Sequence, residues 1–266
     1  MKKGIIVIAI LALAMSTVKG QKKYEKIVYV ETAGECKEAS ITAKSVFSTA
    51  QFAKFNLKIR NNSDEILLYK ADESKLKANG KDYIPKEKPL VIPPTETDNR
   101  VIDVKGTEFM VTDYTFEVNG IYKVSTTSNS VAATDFQLPP SQNEFKVGGF
   151  TCNMTDLKKE TDKTAVKFEC RYTGDKIGVI HPGRAAIKLP DGTEIANAKS
   201  TASPVLVAKG ESEKISLRWD RMQGGKTTDM QLINLLIVWR NTFVEAEPVK
   251  LDPIVLEFKI DEAKSK

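Results

Sequence analysis

The sequence predicts an all-β protein, with two tandem β-sandwich domains behind a signal peptide. Three observations carry that expectation. Apolar residues recur with period two in short runs, bounded by clusters of Asn, Asp, Gly, Pro and Ser. Those runs return in the same order 111 residues later, so that Phe55 to Tyr69 is answered by Val166 to Ile180. The N-terminus, "MKKGIIVIAILALAMSTVKGQ", joins a basic start to an apolar run and a small-residue exit, which is the pattern of a secretory signal.

The leader comes first. Lys2 and Lys3 precede the apolar run from Gly4 to Met15, and Val18 and Gly20 fit the small-residue positions of a cleavage site. Cleavage is therefore expected before Gln21, giving residues 1–20 as the leader. The apolar run is shorter than the ~20 residues a bilayer requires, and no Cys follows it to take a lipid. Farther along, "INLLIVW" (Ile233 to Trp239) has only the length of a strand. A bacterial, exported chain is expected, periplasmic or at the cell surface, with no transmembrane segment. Loss of Lys2, Lys3 and Lys19 lowers the 40 basic residues to 37, against 35 acidic ones. Such a balance offers nothing to nucleic acid.

In the first copy, strands are expected near 26–31, 39–46, 53–60, 65–70, 88–92, 100–104 and 110–124. The stretch "EASITAKSVFSTAQFAKFNL" tolerates a helical period, but its β-branched residues and its match to the second copy favour strands. At the offset of 111, Ile41 falls on Cys152, Ala43 on Met154, Val46 on Leu157, Leu57 on Phe168 and Ile59 on Cys170. Asn79-Gly80 in "LKANGKDY" then meets Asp191-Gly192 in "KLPDGTEI", both read as two-residue hairpin turns because these residues tolerate positive φ. "PLVIPPTE" meets "PVLVAKGE" last. Three landmarks in one order argue for an internal duplication. Between the copies, residues 125–144 are rich in Ser, Thr, Asn and Pro and read as a linker. The expected domains are therefore 21–140 and 141–266.

Strands at this spacing without intervening helices suit a β-sandwich. With "FNLKIRNNSDEILLY", "LKANGKDY" and "PPTE" in hand, the chain resembles the immunoglobulin-like (telokin-like) domains of exported bacterial proteins of unknown function. The same landmarks recur in the second half. The resemblance implies a fold and assigns no catalytic residues.

Few residues invite chemistry. Cys152 and Cys170 take the places of Ile41 and Ile59, two inward-facing sites. One register pairs them together with Phe150–Tyr172 and Met154–Phe168. An exported chain permits a disulfide there, which is the reading adopted; two buried thiols acting as small hydrophobes are the alternative. Cys36 is left over, as a loop thiol or an intermolecular partner. His181 is the only histidine, too few for multi-His zinc sites, and no nucleophile elbow accompanies it. No metal, cofactor or catalytic residue is expected. Trp219 ends "ISLRW" on an apolar face and reads as core. Ile233, Leu235, Ile237 and Trp239 lie in a run apolar on both faces, the candidate partner contact. "NNS" (Asn61) and "NMT" (Asn153) match a glycosylation pattern but read as coincidence in a bacterial chain.

These readings lead to a non-catalytic protein that mediates contact or scaffolding at the cell envelope, its partner another envelope or cell-surface protein. The alternative is a glycan- or peptide-binding module using a groove between the domains.

Overall fold

The computed structural model describes residues 24–221 and 229–266, so the leader read from residues 1–20 lies outside the described residues. In chain order the first strands are β1 (Ile27–Val28), β2 (Thr32–Glu35), β3 (Ala39–Ser48), β4 (Phe52–Asn61), β5 (Ile66–Tyr69) and β6 (Lys75–Ala78). Next come β7 (Lys81–Tyr83), β8 (Leu90–Ile92), β9 (Thr97–Lys105), β10 (Asp113–Val118) and β11 (Ile121–Val124). Then follow β12 (Ser130–Val131), β13 (Phe136–Leu138), β14 (Glu144–Val147), β15 (Phe150–Lys159), β16 (Lys163–Tyr172), β17 (Ile177–Ile180) and β18 (Ala185–Lys188). The last are β19 (Glu194–Ala196), β20 (Val205–Val207), β21 (Ser212–Asp220), β22 (Leu235–Trp239), β23 (Phe243–Ala246), β24 (Pro248–Lys250) and β25 (Ile254–Lys259). Among the described residues the only helical elements are two 3₁₀ turns, Ala71–Glu73 and Pro182–Arg184. The fold is all-β and β-sandwich-like.

The alternation behaves as the pleat requires. Along β4, Ala53, Phe55, Leu57 and Ile59 are buried while Lys58 and Arg60 are exposed. The stretch that tolerated a helical period is β3 and β4. They pair from Ala39↔Asn61 onward with a bulge between Lys44 and Phe47, where Ser45 has φ 53°. β15 and β16 pair likewise, with a bulge between Met154 and Asp156. The "NNSD" turn is pinned by Asn61. Its Nδ2 donates to the carbonyls of Glu65 (2.7 Å), Ile92 (3.1 Å) and Pro93 (3.0 Å). Its Oδ1 accepts from the Ser63 N–H at 2.9 Å.

The two expected hairpins differ in detail. Ala78 pairs with Lys81 across Asn79 (φ 49°) and Gly80 (φ 73°), the tight two-residue turn. In the second half the loop is longer. The Leu189 N–H donates to Thr193 O (2.8 Å) around Pro190, Asp191 and Gly192, because the inserted proline precludes the tighter turn. The expected strand over 110–124 is broken at Asn119–Gly120, separating β10 from β11. There Lys70 N–H donates to Gly120 O (2.8 Å). A β-carbon on Gly120 would lie 2.0 Å from Lys70 O, so only glycine permits the approach.

Among the described residues, six small sheets result. Three contain β1/β2-β3-β4-β9, β25-β10-β6-β7 and β24-β11-β5-β8; three contain β14-β15-β16-β21, β13-β22-β18-β19 and β12-β23-β17-β20. Apart from β1, which has no counterpart, the two sets correspond strand by strand, and the same 111-residue step relates β3, β4 and β5 to β15, β16 and β17. Each set encloses an apolar core. The first is built around Phe55, Phe116 and Phe258 and the second around Phe168, Trp219 and Phe243.

Strand pairing crosses residue 140 in both directions. β12 and β13, inside the stretch read as a linker, pair with β23 and β22 of the second half. β24 and β25, at the C-terminus, return to pair with β11 and β10 of the first half. Phe136 and Leu138 accordingly belong to the second core, and Ile254, Leu256 and Phe258 to the first. Each half is completed by a two-strand arm that leaves the last strand of the other. Lys250 faces Tyr122 as Ser130 faces Val244, and Leu256 faces Phe116 as Phe136 faces Ile237. In both comparisons the arms stand 120 residues apart.

The halves also meet face to face. Ile66, Leu68 and Val124 pack with Val179, Val244 and Ala246 in a third apolar cluster. This explains why all four residues of β5 are buried: Leu67 and Tyr69 face the first core, and Ile66 and Leu68 face the seam.

Candidate functional site

The residues singled out from sequence are mostly structural. Cys152 and Cys170 form a disulfide, S–S 2.11 Å, within the register that also pairs Phe150 with Tyr172 and Met154 with Phe168. The bond joins adjacent strands of one sheet rather than opposite sheets. Cys36 is a free, half-buried thiol packed against the first core. Trp219 is 0% exposed, and its Nε1–H donates to Ala185 O at 3.3 Å.

The segment read as the candidate partner contact includes β22. Leu235, Ile237 and Trp239 are buried in the second core, with Ile233 packed against them. Trp239 stacks on Phe145 with ring centroids 5.0 Å apart and is 5% exposed. Leu235 and Ile237 are fully buried, whereas Ile233 is half-buried. β5 is covered on both faces, as β17 and β23 are, whereas β22 leaves Leu236 exposed. Burial of both tryptophans also removes the version of the glycan reading that stacks sugars on Trp219 or Trp239. Asn61 is buried by its turn and closed to glycosylation, whereas Asn153 is exposed on β15.

His181 has a structural task at the seam. Thr126 O accepts from its Nε2–H at 2.8 Å, which sets the tautomer, and Arg184 Nη1 donates to Asn241 O at 3.1 Å nearby. Burial, together with the Arg184 charge, pushes His181 down from 6.5 to about 4, against the upward pull of the Thr126 carbonyl. It is neutral at neutral pH. On the first-half side, Glu65 accepts from Ser125 Oγ (3.0 Å) and the Thr126 N–H (2.7 Å). Glu73 receives Tyr122 Oη (2.6 Å) and Lys250 Nζ (2.8 Å), tying the C-terminal arm down. Against the upward push of partial burial, those hydrogen bonds and the charges of Lys250 and Lys70 hold the Glu73 carboxyl below its ordinary range. Among the described residues, no three His, Cys, Asp or Glu side chains converge as a metal site would need.

The surface that differs between the halves is one side of the first. There the three sheets end in β7, β8 and β9, and each edge bears a large apolar side chain in solvent: Ile84 (43% exposed, next to β7), Val91 (38%) and Val101 (46%). The corresponding positions of the second half are Leu206, packed against the seam, and Ser216 in place of Val101. On β9 the outward N–H groups of Asn99 and Asp103 are taken by Asp98 Oδ1 and Glu87 Oε1, both at 2.7 Å. Val101 lies between them with its N–H outward by alternation. Alternation alone did not mark this edge, because an outward Val in a strand is unremarkable until its sheet position is known. No protein-family model matches the sequence, and no curated protein matches it with significance.

Proposed function

We propose that this chain is a non-catalytic exported protein that mediates protein–protein contact or scaffolding at the bacterial cell envelope. Its body, in this reading, is two immunoglobulin-like sandwiches related by duplication, and its partner is another envelope or cell-surface protein. The observation that carries the reading is the apolar open edge at Val101 on β9, with Ile84 and Val91 at the neighbouring edges. An edge strand of this kind takes up an extended segment through main-chain hydrogen bonds, with side-chain contact supplying selectivity. The Cys152–Cys170 disulfide is compatible with export. So is the absence, among the described residues, of a helix long and apolar enough to cross a membrane.

The test is a crosslinking pull-down from the native envelope with the wild-type chain, Val101→Lys and Val255→Lys. Val255 is somewhat more exposed than Val101 and lies on β25, in a different sheet from β9. One specific partner retained by Val255→Lys and lost by Val101→Lys is the expected result. Equal recovery by both variants, or no specific partner with the wild-type chain, would overturn the reading.

A further inference from the structure

The reciprocal arms make the chain separable into two pieces. Only Glu247 lies between β23 and β24, so the second half and the C-terminal arm form one piece. The first half joins that piece through a single covalent route, residues 125–129 between β11 and β12. Every other link between the pieces is noncovalent: the β10–β25 and β11–β24 ladders, the bridge and main-chain bonds that join residues 25–30 to 259–266, the seam, and the Glu73–Lys250 clamp. The acceptor edge is built for a strand that arrives from outside its own half, and the second half shows the same arrangement with β12 and β13.

We propose that two copies of this chain associate by exchanging these pieces. The C-terminal arm of each copy fills the β10–β11 edge of the other's first half, and residues 125–129 act as the hinge. Every ladder and seam contact of the closed form is kept in the exchanged pair, and only the hinge is re-routed. That is the condition under which strand exchange gives a dimer at low cost. The hinge is anchored at Ser125 and Thr126 by Glu65 and at Asn129, whose carbonyl accepts the Glu245 N–H, leaving Thr127 and Ser128 to change course, and a hinge this short invites exchange. The inference does not rest on the envelope-contact reading, since its partner is a second copy.

The test uses full-length chains carrying Cys36→Ser. One copy bears Glu117→Cys and the other Val255→Cys, positions that face each other across β10 and β25. The two are mixed at high concentration, carried through partial unfolding and back, and oxidised. The expected product is a covalent dimer that grows with concentration and exceeds that from a control pair of Glu117→Cys with Asp220→Cys. A single chain bearing both substitutions is expected to close the bond within itself when dilute. If that chain closes its bond but the mixture gives no dimer above the control, exchange is refuted. If it does not close, β25 does not lie on β10 and the inference fails at its base.

Discussion

Phe258 lies close to the C-terminus, yet replacing it by Ala is expected to loosen the first half of the chain. Its side chain is fully buried, with ring centroids 5.3 Å from Phe55 and 4.9 Å from Tyr114. Phe55 and Tyr114 belong to β4 and β10, which share the first core with it. Truncating a buried Phe to Ala costs about 3–5 kcal/mol, because apolar contact is lost and the surroundings collapse only partly into the cavity. Against a typical total of about 5–15 kcal/mol for a domain, that is a large share. Denaturant unfolding measures the size of the loss, and hydrogen exchange read by mass spectrometry locates it. Amides of Phe52–Asn61 and Asp113–Val118 are expected to exchange faster in Phe258→Ala, with smaller changes in Lys163–Tyr172. Faster exchange confined to Lys163–Tyr172 and Leu235–Trp239 would refute the assignment of the C-terminal arm to the first core. So would a loss below about 1 kcal/mol, since no fully buried Phe is that cheap to remove.

Three further outcomes are expected. His181 titrates near 4 when folded and near 6.5 when free, so the unfolded chain binds the extra proton first. Stability is therefore full above pH 6.5 and declines as pH falls towards 4, by roughly 3 kcal/mol in all. His181→Gln, which keeps a donor for Thr126 O, should show a shallower decline when unfolding is compared between neutral pH and pH 4. Opening the Cys152–Cys170 bond, whose partners are 18 residues apart, should cost about 3 kcal/mol through restored freedom of the unfolded chain. A Cys152→Val/Cys170→Val pair should regain part of that, since Ile41 and Ile59 fill the equivalent sites; urea unfolding with and without reductant checks both. Asn61→Ala strips the donor shared by Glu65, Ile92 and Pro93 carbonyls and should cost about 2–3 kcal/mol, read as a lower denaturation midpoint.

The cysteine register was legible before any coordinates because it rests on one local fact. In a ladder, fixing one pair fixes its neighbours, so Cys152–Cys170, Phe150–Tyr172 and Met154–Phe168 stand or fall together. The role of "INLLIVW" was not legible in the same way. Two apolar faces in a strand say only that something covers both, and Leu236 shows that one side of β22 stays open. "ILLY" in β5 carries the same local signal and is wedged between a core and the seam, as β17 and β23 are. The β9 edge was equally silent, since Val101 and Ser216 differ in consequence only once both strands are known to be outermost in their sheets.

The sequence by itself determined the all-β character, the positions of most strands, the "NNSD" and Asn79-Gly80 turns and the strand-by-strand likeness of the two halves. These depend on alternation and turn chemistry, which are properties of neighbouring residues. Only the tertiary structure decided which strands complete which core. A ladder is made of main-chain groups that are the same in every residue, so 130–138 and 248–259 carry apolar patterns that suit either half. Their exchange is settled by where the chain leaves Val124 and Ala246, and by the apolar seam that holds those two exits together.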